Sequence, residues 1–250
     1  HNPKILITLI EILGETQETG KSDVVQELEN IKNHPNEEIR AAVACALWNL
    51  RQPSGLDILK SMLLSENPNE RIQASSILHK VDCEGLYKIM LRTVNDYVSS
   101  VRENTIKAIG EHQYREASKL LIEKLGDLDI NVRRTTQRAL INIGEKVVDE
   151  LITTLENKDI SKEMKITILE IIREITSPKW EQRFVDILLQ EKDPTVQYEI
   201  IKSLNISAKL SSTNLVSEFV NKQLKIAYKN LFYIQELQSK SFHLNNKEML

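Results

Sequence analysis

Apolar residues recur along most of this chain in one helical stripe, and the stripe repeats with a fixed period. Arg40, Arg71, Arg102 and Arg133 are each 31 residues apart, and Lys165 and Gln197 continue the column at a spacing of 32. Just before each stands an apolar residue, and more follow at offsets of 4, 7 and 8 from it: Ile39, Val43, Ala46 and Leu47 in the first unit, Val101, Thr105, Ala108 and Ile109 in the third. Those offsets fall on one side of an α-helix. The second unit departs, with Glu70 at the leading place. A second column, Leu28, Leu59, Met90, Leu121 and Ile152, again at 31, runs through the segment before each stripe, and Val185 continues it. Two columns at one period predict a unit of two short helices, A then B.

Turn chemistry agrees. Asn36, Asn67, Asp129, Ser161 and Asp193 each stand three residues before the leading position, where a side-chain acceptor caps helix B. Pro68 and Pro194 follow two of these caps at the first helical position, where the missing N–H costs nothing. Val98 holds the cap place of the third unit, so Asp96 or Ser99 is expected to adjust its start. Pro53 and Pro178 fall between units.

The pattern Asp129-x-x-Val132-Arg133, then Ala139-Leu140, resembles the HEAT repeat, and its length is similar to the short HEAT-like repeat named after phycobilisome lyases rather than the longer type of about 40 residues. The resemblance implies an all-α fold, a right-handed α-α superhelix or α-solenoid of six to seven two-helix repeats. Residues 23–207 hold six of them. In residues 1–22, Leu6, Ile10, Leu13 and Gly14 fit the second helix of a further unit, followed by an insertion. In residues 208–250 the period is lost, and Thr213 to Gln238 reads as one long capping or docking helix.

Composition narrows the function classes. Thirty-three Lys plus Arg against 36 Asp plus Glu leave a formal charge of -3, which argues against a general nucleic-acid binder. Seven Gly and six Pro among 250 residues are too few for a turn-rich β-sandwich or a glycine-looped nucleotide fold. Cys45 and Cys83 make no disulfide framework and read as reduced thiols, hence a cytoplasmic setting. No stretch approaches the roughly 18 apolar residues of a membrane span. The start at His1-Asn2-Pro3, without an initiator Met, reads as a segment of a longer polypeptide.

No enzyme motif occurs: neither GxGxxG, GxxxxGK[ST], HExxH nor GxSxG is present. His1, His34, His79, His112 and His243 are scattered, so neither a metal site nor a cofactor is expected. The resemblance implies that Arg40, Arg71, Arg102 and Arg133 form a structural ladder with acids in the B-helix turn, the place of Asp129 and Asp193. Positions at offsets 3, 6 and 10 are left outside the stripe and are expected to line a concave surface. Along the array it passes from small and aromatic, with Trp48 and Asn49, through basic, with Lys80, Lys107, Arg134 and Arg138, to acidic, with Glu170 and Glu174. The expected function is a non-catalytic scaffold that binds an acidic protein or peptide segment there. Alternatives are the soluble regulatory part of a larger, transporter-fused protein, a HEAT-like DNA glycosylase and a bilin lyase. The glycosylase needs a basic groove with clustered aromatics, whereas Trp48 and Trp180 lie in distant units.

Overall fold

A computed structural model describes residues 3–15, 22–82, 84–157, 159–175 and 180–207, apart from the side chains of 22, 181 and 205–207. Cys83, Pro178, the terminal histidines and the expected helix beyond residue 207 lie outside the described residues. The chain divides into two compact units, His1–Ile175 and Thr176–Leu250. The sixth repeat, which the period groups with the other five, thus falls in the second.

In the first unit, α1 (Pro3–Glu15) precedes five helix pairs: α2 (Ser22–Asn30) with α3 (Glu37–Asn49), α4 (Pro53–Leu63) with α5 (Pro68–Ser76), α6 (Glu84–Thr93) with α7 (Ser99–Glu111), α8 (Ser118–Lys124) with α9 (Ile130–Ile143), and α10 (Val148–Leu155) with α11 (Lys162–Ile175). No strand occurs among the described residues. Each B helix packs on its own A helix and on the B helix before it, and A helices meet at α4–α6 and α8–α10. This two-layered stack is an α-solenoid.

The two columns form its core. Leu28, Leu59, Met90, Leu121 and Ile152 are all buried, as are Val43, Leu47, Val101, Ile109, Val132 and Leu140. Where the stripe carries a hydroxyl, the group is satisfied locally: Thr105 Oγ1 donates to Thr93 Oγ1 at 3.1 Å and Thr136 Oγ1 to the Val132 carbonyl at 2.7 Å. Asn36 Oδ1 accepts from Ile39 N at 3.1 Å, Asn67 Oδ1 from Asn69 N at 3.0 Å, Asp129 Oδ1 from Asn131 N at 2.8 Å and Ser161 Oγ from Met164 N at 3.2 Å. Val98 occupies the cap of α7, and Asp96 Oδ1 accepts its N–H at 2.9 Å.

Two B-helix contacts are close because glycine permits them. A Cβ on Gly110 would stand 2.5 Å from Ala139 Cα, and one on Gly14 would stand 2.7 Å from Ala46 Cα. This equivalence places α1 as a B helix and corrects its register by one residue. Matching Gly14 to Gly110 aligns Ile5, Leu9, Ile12 and Leu13, not the frame from Leu6, with Val101, Thr105, Ala108 and Ile109. In α7 those positions are fully buried, whereas on α1 they are 61%, 52%, 52% and 37% exposed. Ile10 and Gly14 are the α1 residues sunk against α3.

In the second unit, α12 (Glu181–Gln190) packs against α13 (Pro194–Ser207). Phe184, Val185 and Leu188 are buried, as are Val196, Ile200 and Leu204. Asp193 Oδ1 accepts from Thr195 N at 2.8 Å, which caps α13.

Candidate functional site

The basic column lies at the turn edge. Arg40, Arg71, Arg102 and Arg133 each donate through Nη1 to the carbonyls six and five residues back, for example Arg102 to Asp96 O at 2.8 Å and Tyr97 O at 3.3 Å. Each guanidinium thereby ties down the turn that leads into its own helix. Gln197 repeats the first of these bonds, through Nε2 to Glu191 O at 2.7 Å.

The remaining guanidinium edge reaches the next repeat. Arg71 Nε and Nη2 grip Asp96 Oδ2 and Oδ1 at 2.7 and 3.3 Å, with the side chains 7% and 8% exposed. Arg102 grips Asp127 in the same way at 2.9 and 2.7 Å. Two parallel N–H···O bonds out of water make these strong, orientation-specific pairs. Arg40 makes one such bond, Nη2 to Glu70 Oε1 at 2.6 Å, because Ser65 stands where the later units have their aspartate. The unusual Glu70 at a leading apolar position is thereby accounted for.

The ladder's acids are therefore Glu70, Asp96 and Asp127, while Asp129 and Asp193, each two residues after the corner position of its turn, are occupied as helix caps. Geometry explains the difference: the cap carboxylate turns back onto its own helix, whereas the residue two positions earlier sits at the corner facing the preceding repeat. That corner residue also stiffens the turn. His34, Ser65, Asp96, Asp127 and Glu191 each accept the N–H of the residue two places on, at 2.9–3.1 Å. Burial acts to raise the Asp127 pKa, but the Arg102 hydrogen bonds, the Asp129 N–H and the Arg102 charge outweigh it and hold it below the usual carboxylate range. Asp129 is lowered too, first by the Asn131 N–H and then by the Ser99 hydroxyl.

The B-helix face is recessed at one end and charged further on. Over α3 the small residues Ala41, Ala42 and Cys45 floor a hollow of about 230 Å³, spanned by an ion pair from Lys80 Nζ to Glu11 Oε1 at 3.1 Å. Lys80 is thus engaged. Burial pushes the Cys45 thiol up. Trp48 is half-buried and Asn49 exposed, and both line a separate hollow of about 330 Å³ with Gly14 and Arg51. Offset 3 is a seam between helices rather than open surface: Ala42 is buried, Asn104 Nδ2 donates to Ser75 Oγ at 3.1 Å, and Thr135 Oγ1 donates to Glu103 Oε1 at 3.3 Å. Offsets 6 and 10 stay outside from the third unit onward, with Lys107, Arg138, Glu111 and Asn142 exposed. Lys107 stands 3.9 Å from Glu111. Arg134 and Arg138 are exposed and make no ion pair among the described residues.

With this geometry in place the comparisons are readable. Residues 1–78 match the family of HEAT repeats. The HEAT-like units beyond them rest on the common period and packing described above. No curated protein matches the chain. In structure it is similar to an engineered protein, at 18% identity and a TM-score of 0.41 over 81% of this chain and 96% of that one. It is also similar to the complex of CpcE and CpcF of phycocyanin lyase from Nostoc sp. PCC7120, at 14% identity and 0.44 over 87% and 90%. A second engineered protein matches at 16% and 0.44 over 81% and 68%. At these identities the likeness says nothing about activity. Among the described residues, no three His, Cys, Asp or Glu side chains are placed to hold a metal ion, and no helix is long and apolar enough to cross a membrane.

Proposed function

We propose that this chain is a non-catalytic, cytoplasmic protein-interaction scaffold whose B-helix face takes an acidic segment of a partner across Lys107, Arg134 and Arg138. The observation that carries the reading is the contrast between two sets of arginines. Those of the ladder are held by carbonyls, and the first three by carboxylates as well; Arg134 and Arg138 project from α9 with no intramolecular counter-ion among the described residues. Side chains that hold nothing in the fold are available to a partner, and their shared sign selects an acidic one. The buried, free Cys45 thiol supports a reducing compartment.

The test is a titration of a fluorescein-labelled peptide of alternating Glu and Ala against the wild-type chain and the double variant Arg134→Glu, Arg138→Glu. The expected result is a loss of at least roughly tenfold in affinity, steepest at low salt, with unchanged circular dichroism. Equal affinity for both proteins overturns the reading.

A further inference from the structure

The first helix shows to water the stripe that its counterparts hide. In α3, α7 and α9 the four stripe positions lie against the A helix of the same unit and the adjoining B helices, and none is more than 2% exposed. On α1 the equivalent Ile5, Leu9, Ile12 and Leu13 stand on the side away from α3, and nothing among the described residues covers them. Four large aliphatic side chains on one helical face form a patch rather than scattered exposure. Such a patch gains free energy from any surface that takes it out of water.

The charges beside the stripe decide what fits it. At 3.6 residues per turn, Lys4, Thr8 and Glu15 fall within about 40° of one another, along one flank of the stripe. Lys4 stands in the first turn and Glu15 ends the helix, and both are exposed. Glu11, further round, is held by Lys80 at 3.1 Å. The flank is therefore positive at its start and negative at its end. A second copy of α1 laid parallel would set like charges together. Laid antiparallel across a two-fold axis, it brings the same flank of each helix face to face, so opposite charges meet.

The stripe has the same symmetry. Ile5 and Leu13 stand four residues to either side of Leu9. With Leu9 on the axis, Ile5 of each copy meets Leu13 of the other, and each Lys4 comes beside the other copy's Glu15. Four partly exposed side chains a copy fall short of the roughly 800 Å² per partner of a standard interface. The pair is accordingly a reversible one, formed at micromolar rather than nanomolar concentration.

We propose that two copies of this chain associate through α1, antiparallel across a two-fold axis at Leu9, with reciprocal Lys4–Glu15 ion pairs beside the shared aliphatic stripe. Sedimentation velocity of the full chain through the micromolar range tests it, and the mean mass is expected to rise from one chain toward two. Leu9→Asp sets two carboxylates against each other on the axis and should weaken the dimer at least roughly tenfold, with unchanged circular dichroism. Lys4→Glu and Glu15→Lys should each weaken it roughly threefold at low salt, and the double variant carrying both should return to wild type. If Leu9→Asp unfolds, the charge swap decides alone. The Arg134→Glu, Arg138→Glu variant should dimerise like wild type. A dimer lost there would mean that copies meet through the basic face instead, and would overturn the proposal. A chain monomeric throughout, a dimer indifferent to Leu9→Asp, or a double swap no tighter than its single variants overturns it as well. So does a monomer whose α1 stripe binds a peptide copying α4, which would assign the stripe to a helix of another protein.

Discussion

The step from α7 to α9 and the step from α9 to α11 join the same kinds of helix, yet they are fastened differently. At the first, Arg102 grips Asp127 through two bonds and Gly110 lets α7 approach the backbone of Ala139. At the second, Arg133 ties only its own turn and no glycine draws the helices together. Both bury the same apolar stripe, with Ile168 and Ile171 as deep as Val132 and Leu140. The stripe thus makes a two-layer stack, and the polar corner sets how firmly consecutive repeats are locked.

The largest test of this contrast is a pair of alanine variants. Arg102→Ala leaves Asp127, only 6% exposed, without its counter-ion, and is expected to lower stability by about 3–5 kcal/mol. Arg133→Ala removes carbonyl bonds alone and should cost about 1 kcal/mol. Urea unfolding midpoints decide, and equal losses would remove the distinction. Next in size, Gly110→Ala forces a methyl group into the α7–α9 contact and should cost about 1–3 kcal/mol. A neutral effect there would show that the close approach is incidental. Deleting Lys158 restores between Arg133 and Asp159 the spacing of 25 that separates Arg102 from Asp127, and should raise stability by about 1 kcal/mol. A destabilised deletion variant means that the longer turn, not the missing pair, is what that repeat requires.

The smallest effect is one of pH. Asp127 has a lowered folded pKa, so its contribution is present above the unfolded value near pH 4 and is lost as pH falls through the folded value. The stability gap between wild type and Asp127→Asn should therefore narrow as pH drops from about 5 to about 3. A constant gap would mean that the carboxylate's charge does not contribute.

Much of the fold was legible because burial is periodic. The Leu28 to Ile152 column and the Val43 to Leu140 stripes are side chains whose only role is apolar, and such residues announce themselves by spacing. The caps Asn36, Asn67 and Asp129 were legible for the same reason: a short acceptor three residues before the stripe has one evident use. The ladder's acids were harder, because two polar residues share each turn and spacing alone does not say which faces the neighbouring repeat. The signal was the second polar column, His34, Ser65, Asp96, Asp127, Asp159 and Glu191, six residues before the basic one. Lys80 shows the limit from the other side, since its partner Glu11 is 69 residues away and no local pattern joins them. The register of α1 failed for want of a second copy of its own unit, and only the Gly14–Ala46 contact fixed it.

The unclamped corner at Arg133 also has a mechanical meaning. Under tension applied along the stack, separation begins where the fewest bonds must be broken at once. The α9–α11 junction then yields at low force, and the block from α5 to α9, braced by two guanidinium–carboxylate pairs, gives way as one unit at higher force. A force-extension trace of the first unit would show the α9–α11 step yielding before the block from α5 to α9.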